Sequence, residues 1–243
     1  MSEDLETGRF LLRSFHPPET TSRVLTIYIE GDGLAWLSRR QPSSDPTPVT
    51  PLGLQLALAQ PDGNAAYLGR PCQYLGAERC TVQDWTDARF ATDVISSTQQ
   101  ALSLLKARLG AQELVLVGYS GGAAIALLIA AQRMDVRQVL TVAGNLDPDA
   151  WTTWHKLQPL TASNNPARHL SALQTLPQVH LVGERDSIMP TELARRFQAA
   201  LPVESPSRVV EVSGYDHICC WADGWPALWE RYADTGMASA VAE

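Results

Sequence analysis

The stretch that decides the fold runs from Glu113 to Gln132 and reads ELVLVGYSGGAAIALLIAAQ. Its first five residues are an apolar run typical of a buried strand, and the alanine-rich segment from Ala123 onward is typical of a helix. Between them lies the pattern G-x-S-x-G, in which a serine, here Ser120, occupies a sharp strand-to-helix turn. Small residues are needed on both sides, because a side chain at Gly118 or Gly122 would collide across the turn.

This turn predicts a chemical role for Ser120. Its hydroxyl is expected to lie above the sheet edge at the N-terminus of a helix, where backbone donors and the helix dipole favour a developing anion. The alternative is an ordinary strand-to-helix turn that happens to be rich in glycine. The strand before the serine and the helix after it favour the catalytic interpretation.

Composition bounds the class of protein and its partners. The chain has 243 residues, 45% of them hydrophobic and 19% charged, which fits a single domain over residues 1–243. The net charge of -7 and a pI of about 5.2 argue against nucleic acid as a partner, because phosphate binding needs a basic surface. No apolar run reaches the roughly 18 to 20 residues of a membrane span. The polar start, Met1 to Arg9, lacks the features of a signal peptide, so we expect a cytoplasmic protein or one that has lost its leader.

Four cysteines leave the redox compartment open. Cys72 and Cys80 lie in one turn-rich segment and either remain free thiols or close a short loop by a disulfide, which would indicate an exported or periplasmic protein. Cys219 and Cys220 are adjacent, so a bridge between them would be strained, and we interpret them as buried packing. Neither pair has the Cys-x-x-Cys spacing of zinc or redox sites. The sequence implies no metal and no organic cofactor.

Short β-rich runs alternate with longer helical ones along the chain, which predicts an α/β fold with a mostly parallel, doubly wound sheet and helices on both faces. Strands are predicted at Phe10–Leu12, Val24–Ile29, Asn64–Leu68, Glu113–Val117, Val136–Val142, Gln178–Val182 and Arg208–Val212. Helices are predicted at Leu52–Gln60, Asp87–Leu109, Ala123–Gln132, Thr191–Leu201 and Trp225–Tyr232. Residues 144–173, after the strand at 136–142, are predicted to form an irregular insertion. Residues 236–243 are predicted to be a frayed tail.

The partners of Ser120 are sought at strand ends. A serine hydroxyl is a poor nucleophile near neutral pH and needs a base, which an acid in turn orients. In an open parallel sheet such groups collect beyond the carboxyl ends of the strands. Asp186 follows the strand at 178–182, and His217 follows the strand at 208–212. The order Ser120, Asp186, His217 therefore predicts a catalytic triad.

Other residues compete for two of these roles. The acid could instead be Glu184, two residues nearer its strand, or Asp147, which follows the strand at 136–142. Asp216, beside the histidine, is interpreted as a solvated turn residue. The competing bases are the remaining histidines, of which the one at 180 lies inside a strand and the ones at 155 and 169 lie in the insertion: His16, His155, His169 and His180.

With these residues in place, the chain resembles an α/β-hydrolase from about Val24 to Tyr232. The resemblance implies the fold described above, with Ser120 as nucleophile, His217 as general base and then acid, and Asp186 as the orienting carboxylate. It also implies that residues 144–173 form a small lid. The resemblance does not identify the substrate, because this fold carries many reactions.

The resemblance further implies an oxyanion hole with two backbone N–H donors. One is the amide of Gly121, just after the nucleophile. The other is expected in the loop 30–33, where Asp32 is the first candidate and Gly31 the next; a simple tight turn is the alternative. Family members often carry a histidine at the position of Glu30, so this chain departs from the pattern.

Two carboxylates in that loop need partners. Unless they are paired or turned away, Glu30 and Asp32 would oppose the anion that the loop is expected to bind. Arg70 or Arg89 could pair with one of them.

Aromatic residues are the candidates for substrate binding: Trp36, Tyr119, Trp151 and Trp154, with ordinary packing as the alternative. The sequence as a whole predicts a serine hydrolase that cleaves a small-molecule carboxylic ester or thioester through an acyl-enzyme. An acyltransferase with the same triad and a non-catalytic binding protein of the same fold are the alternatives. The sequence does not give the oligomeric state.

Overall fold

A computed structural model describes residues 1–20, 22–75 and 79–234, which form ten strands and seven α-helices. The strands are β1 (Ser2–Thr7), β2 (Phe10–Phe15), β3 (Val24–Ile29), β4 (Trp36–Ser38), β5 (Gln41–Pro42), β6 (Ala65–Leu68), β7 (Glu113–Tyr119), β8 (Val136–Val142), β9 (Gln178–Gly183) and β10 (Ser207–Val212). The helices are α1 (Leu52–Ala59), α2 (Thr92–Arg108), α3 (Gly121–Ala130), α4 (Pro148–Trp154), α5 (Leu170–Leu173), α6 (Thr191–Ala199) and α7 (Trp221–Tyr232). The tail predicted at 236–243 lies outside the described residues.

Eight strands form one sheet in the order β1-β2-β6-β3-β7-β8-β9-β10. The pairs β1–β2 and β2–β6 are antiparallel, and all later pairs in the order are parallel. The central strands are continuous apolar runs because helices cover both of their faces; every residue of β3 is buried. This arrangement confirms the predicted mostly parallel α/β sheet. Strands β4 and β5 pair separately as a small ribbon.

Two hydrophobic cores lie on opposite faces of the sheet. Alternate residues of β3 enter different cores, as expected for a strand with a side-chain period of two. Leu25 and Ile27 pack in the core that contains residues of α2, α3 and α6. Tyr28 packs in the core that contains residues of α1 and α7. The loops at the carboxyl ends of the parallel strands are left free to carry the site.

Strand β1, helix α2 and helix α7 are among the elements that differ from the prediction. Strand β1 was not predicted; Leu5 is its only large apolar residue, and it pairs antiparallel with β2. Helix α2 begins at Thr92 rather than Asp87, because the preceding residues form turns. Helix α7 begins at Trp221, four residues earlier than predicted. Its tryptophans at four-residue spacing are all buried on one face.

The insertion 144–173 is less irregular than predicted, since it contains α4 and α5. Helix α4 forms because Asp147 caps its N-terminus, accepting hydrogen bonds from the amides of Asp149 and Ala150 at 3.1 Å each. Pro148 then occupies the first helical position, where its missing N–H removes no hydrogen bond.

All four cysteines are bonded in pairs. Cys72 and Cys80 close the short loop, the pairing from which the sequence predicts an exported or periplasmic protein. Cys219 and Cys220 are bonded to each other and both are exposed, so the interpretation of these two residues as buried packing is wrong. Within the described residues, no helix is both long and apolar enough to cross a membrane.

Candidate active site

Ser120 lies on the turn between β7 and α3, with φ 49° and ψ -117°, a backbone conformation that non-glycine residues rarely adopt. A Cβ atom at Gly118 would lie 2.5 Å from Cα of Ala123, and one at Gly122 would lie 2.2 Å from the carbonyl oxygen of Ile29. Both contacts are shorter than real Cβ contacts, so the pattern G-x-S-x-G is a steric requirement of this turn. The turn is held by the Ser120 amide, which donates to the carbonyl of Val142 at 3.0 Å.

The structure brings Ser120, His217 and Asp186 together. His217 Nε2 lies 3.1 Å from Ser120 Oγ, and His217 Nδ1 lies 2.8 Å from Asp186 Oδ2. Both distances are within hydrogen-bonding range for a nucleophile and its base. The Asp186 side chain is fully buried, whereas that of His217 is 12% exposed. The imidazole is therefore partly open to solvent, whereas the carboxylate beside it is not.

Asp186 is held rigidly by its own loop. Its second oxygen, Oδ1, accepts hydrogen bonds from the amides of Ile188 and Met189, each at 2.8 Å. Both carboxylate oxygens are thus engaged, one by the loop and one by His217. This arrangement fixes the tautomer of His217 that donates from Nδ1 and leaves Nε2 to accept from Ser120.

The alternative acids are engaged elsewhere. Asp147 caps α4 and also accepts a hydrogen bond from the Asn165 side chain at 2.7 Å. Glu184 is exposed and accepts from the Ser213 hydroxyl and the Gly214 amide. Neither carboxylate hydrogen-bonds to His217.

Three of the four alternative bases are also engaged elsewhere, and the fourth, His169, forms no hydrogen bond to Ser120 in the described part of the chain. His180 is buried against the Thr141 hydroxyl, and burial lowers its pKa to about 3. His155 Nε2 lies 2.8 Å from the carbonyl oxygen of Ile188. His16 contacts the carbonyl of Pro17 near the opposite edge of the sheet.

Tyr119 contacts His217. Its hydroxyl donates to the backbone carbonyl of His217 at 3.3 Å, and the two rings are 5.5 Å apart. Its ring also lies against the loop 30–33, where a Cβ atom at Gly31 would be 3.0 Å from it. Burial raises the pKa of the phenol. Tyr119, which the sequence offers as a substrate-binding residue, thus packs between His217 and the loop 30–33.

The loop 30–33 packs directly on the turn at Ser120. A Cβ atom at Gly121 would lie 2.1 Å from Asp32 Oδ1, so only glycine permits this approach. Neither the Gly121 amide nor the Asp32 amide donates a hydrogen bond to another group in the described part of the chain. The Gly31 amide does, since it donates to Glu30 Oε1 at 2.9 Å. Gly31 is therefore unsuited to the oxyanion role that the sequence allowed for it.

Both candidate arginines bind the same carboxylate. Arg70 Nη1 lies 3.1 Å from Asp32 Oδ1, and Arg89 Nη1 lies 2.5 Å from Asp32 Oδ2. Burial by itself would raise the pKa of Asp32, but the charges and hydrogen bonds of the two guanidinium groups outweigh it and hold that pKa below its ordinary value. The negative charge of Asp32 is therefore compensated twice.

Glu30 is held by neutral donors. It is buried, and it accepts hydrogen bonds from the amides of Gly31 and Gly53 and from the Tyr67 hydroxyl at 3.1 Å. Burial raises the pKa of Glu30 and so disfavours its charged form. Asp32 differs, because its two arginine partners favour its charged form. Through these hydrogen bonds, Glu30 holds the loop 30–33 against the N-terminus of α1. It forms no ion pair with an arginine in the described part of the chain.

A cleft of about 680 Å³ is linked to the site by Arg89, which binds Asp32, and by Ile188, whose amide donates to Asp186; Ser120, Asp186 and His217 are not among its lining residues. Trp36 and Trp151, two of the residues that the sequence offers for substrate binding, line this cleft together with Leu160. Trp151 Nε1 donates to the carbonyl of Ile188 at 3.0 Å, which fixes the indole against the loop that carries Asp186. Trp154 is not in the cleft; its ring lies outside, with the Arg196 guanidinium 5.7 Å from its centre.

One group of potential metal ligands occurs among the described residues: Cys72, Cys80 and Asp84. The disulfide engages both sulfur atoms, and Asp84 pairs with Arg9 at 2.7 Å. These residues do not offer a metal-binding set of thiolates.

No protein-family model matches the chain, and no curated protein matches it in sequence. Solved structures do match. A serine hydrolase homologue from Coxiella burnetii, described as alpha-beta, is 16% identical with a TM-score of 0.63 over 96% of this chain and 95% of its own. The chain has the α/β-hydrolase fold. An esterase from Pyrococcus furiosus is 14% identical with a TM-score of 0.64 over 96% and 92% of the two chains. The esterase domain of a Rhodothermus marinus protein is 17% identical with a TM-score of 0.61 over 96% and 98%.

Within the α/β-hydrolase fold, the elements of this chain place each group at a strand end. β7 leads to Ser120, β9 to Asp186, β10 to His217 and β3 to the loop with Asp32. These four strands are parallel, so their carboxyl ends meet at one edge of the sheet.

Proposed function

We propose that this protein is a serine hydrolase that cleaves a carboxylic ester or thioester through an acyl-enzyme. The observation that carries the proposal is the continuous hydrogen-bonded path from Ser120 Oγ to His217 and on to Asp186, at 3.1 Å and 2.8 Å. The strained backbone of Ser120 supports it, because such strain persists where the surrounding structure imposes it, often at functional sites. The fold neighbours described as esterases are consistent with it.

The geometry supports a two-step reaction. His217 Nε2 accepts the proton of Ser120 as Oγ attacks the substrate carbonyl, and Asp186 stabilises the imidazolium that results. The amides of Gly121 and Asp32 bind the tetrahedral oxyanion. His217 then gives the proton to the leaving group, and a water molecule repeats the sequence to release the acid. The hydrogen bonds that each of these groups forms in the structure leave it available for its step.

The cleft favours water as the acceptor of the acyl group. Two of its lining residues, Trp36 and Ile188, are 41% and 43% exposed, and the His217 side chain is 12% exposed, so the cleft and the base are open to water. We propose that residues 144–173 act as a small lid within the single domain, since Trp151, His155 and Leu160 all line the cleft. An acyltransferase would use the same triad, but no observation in the structure favours an acceptor other than water.

A covalent probe tests the proposal. Treatment with a fluorophosphonate, followed by intact-protein mass measurement, should add one label to the wild type and none to Ser120→Ala. Ser187→Ala is the matched control, because Ser187 lies in the same surface depression as His217 but hydrogen-bonds to no catalytic group. It should label like the wild type. A folded wild type that takes up no label, or a labelled Ser120→Ala, would overturn the proposal.

A further inference from the structure

Arg89 is a buried cation at the cleft that the proposed mechanism does not use. Its side chain is only 7% exposed, yet it is one of the residues that line the cleft. Nε donates to the carbonyl of Thr86 at 2.6 Å, and Nη1 donates to Asp32 at 2.5 Å. Nη2 donates to no residue in the described part of the chain and is not among the polar atoms that protein encloses completely. Nη2 is therefore a charged donor that a ligand in the cleft can reach, on a side chain whose other two nitrogens are already held by the protein.

Positive side chains outnumber negative ones around Arg89. Asp32 faces two guanidinium groups, and a single carboxylate neutralises only one of them. Arg39 also lines the cleft and forms no ion pair with the described residues. The one carboxylate that lines the cleft, Asp87, accepts hydrogen bonds from the Thr161 hydroxyl and the Ala162 amide. This local excess stands out in a chain of net charge -7.

Much of the remaining lining is apolar. Two indoles and several aliphatic side chains line the same cleft as Arg89: Trp36, Trp151, Leu157, Pro159, Leu160 and Ile188. A ligand that satisfies both features needs a flat or bulky apolar body and one anionic oxygen group. Arg39, Arg70 and Arg89 face two carboxylates, those of Asp32 and Asp87, so one positive charge is in excess; a singly charged carboxylate matches it better than a phosphate of nearly two negative charges.

We propose that the substrate ester carries a carboxylate on an apolar group near its scissile carbonyl, and that Arg89 is the residue that selects it. This inference rests on the proposed hydrolase function. Arg89 binds the side chain of Asp32, whose own Oδ1 lies against Gly121. Through the Asp32 side chain, Arg89 is therefore linked to the two proposed oxyanion donors, the amides of Asp32 and Gly121.

The test compares paired esters in matched variants. One pair differs on the acyl side, 4-nitrophenyl 4-carboxybenzoate against 4-nitrophenyl 4-methylbenzoate; the other differs on the alcohol side, 4-carboxyphenyl acetate against 4-methylphenyl acetate. The ratio of kcat/KM within a pair, compared between variants, cancels the intrinsic reactivity of each ester. In Arg89→Gln, the ratio for at least one pair should fall by about 10-fold or more, the effect expected of one charge-assisted hydrogen bond.

Arg70→Gln is the matched control. Arg70 binds the same carboxylate of Asp32 but does not line the cleft, so its loss should lower turnover of both esters of a pair without changing their ratio. Arg89→Lys keeps the charge and should retain part of the preference. An unchanged ratio in Arg89→Gln, or equal changes in Arg89→Gln and Arg70→Gln, would overturn the inference.

A binding measurement separates this inference from the proposed function. Calorimetry on Ser120→Ala measures the affinity for monomethyl terephthalate, which carries the carboxylate and needs no turnover. Adding Arg89→Gln should weaken that affinity about 10-fold, and adding Arg70→Gln should not. If no ester were hydrolysed and this difference were still seen, the hydrolase proposal would fail while the carboxylate site stood. Equal affinities of the two double variants for monomethyl terephthalate would show that Arg89 does not bind its carboxylate. Thermal melting of each variant establishes that it is folded.

Discussion

The hydroxyl of Tyr119 donates to the backbone carbonyl of His217 at 3.3 Å, so the residue before the proposed nucleophile holds the proposed base. This link joins the end of β7 to the loop after β10, two segments far apart in the sequence. It adds to the hydrogen bond between Asp186 and Nδ1 of the His217 imidazole. His217 is thereby positioned through its backbone as well as its ring.

Tyr119→Phe tests that positioning role. The ring contact with His217 survives the change, and only the hydrogen bond from the hydroxyl is lost. We expect kcat to fall roughly 3- to 10-fold, the effect of one neutral hydrogen bond, with KM nearly constant. Steady-state kinetics with a short aryl ester measure both constants. A rise in KM with unchanged kcat would instead indicate that the phenol contacts substrate.

Asp186→Asn should abolish most activity while the protein remains folded. The amides of Ile188 and Met189 would hold the asparagine oxygen, so its NH2 group would face His217 Nδ1 and favour the wrong tautomer of the imidazole. That change costs on the order of 10⁴-fold in kcat in a comparable triad. Asp147→Asn is the control, because Asp147 caps α4 and does not contact His217. It should keep most of the activity. A severe loss in Asp147→Asn with a mild one in Asp186→Asn would reverse the assignment of the acid.

Asp32→Ala separates the amide of this residue from its carboxylate. The backbone N–H proposed as an oxyanion donor remains, but Arg70 and Arg89 lose their common partner. Leaving buried charges unpaired costs about 3–5 kcal/mol of stability, which urea denaturation measures. The control Asp45→Ala removes an exposed loop carboxylate and should change stability little. If Asp32→Ala were as stable as the wild type, the two arginines would not depend on Asp32 as an ion-pair partner.

The raised pKa of Glu30 predicts a pH-dependent stability. Because the folded state holds the proton of Glu30 more tightly than the unfolded state, the free energy of unfolding falls as pH rises from the ordinary carboxyl pKa through the raised one. Glu30→Gln keeps the size of the side chain and removes this titration. Urea denaturation between about pH 4 and 8 should give a shallower decline in Glu30→Gln than in the wild type. Identical pH profiles would contradict the prediction.

The sheet could be predicted in large part because its signals are local. The buried strands β3, β7, β8 and β9 are apolar runs, and they lie where the sequence places them. Strand β1 was missed because Leu5 is its only large apolar residue, so no alternation marks it. The early start of α7 was missed because Trp221 and its neighbours follow two cysteines without a capping residue.

The sequence by itself determined the order of the elements and the strand ends at which Ser120, Asp186 and His217 lie. These follow from hydrophobic periodicity and from the glycines around the serine, which are properties of neighbouring residues. The steric need for Gly118 and Gly122 is of the same local kind.

Only the tertiary structure decided which groups meet across the fold. Arg70 and Arg89 bind Asp32 from positions 38 and 57 residues away, and no spacing in the sequence links them. Trp151 faces the cleft and Trp154 faces outward because the packing of α4 against the loop at Ile188 orients the helix. The amide of Gly31 is engaged because Glu30 is buried beside α1. Such contacts depend on chain segments that come together only when the sheet has formed.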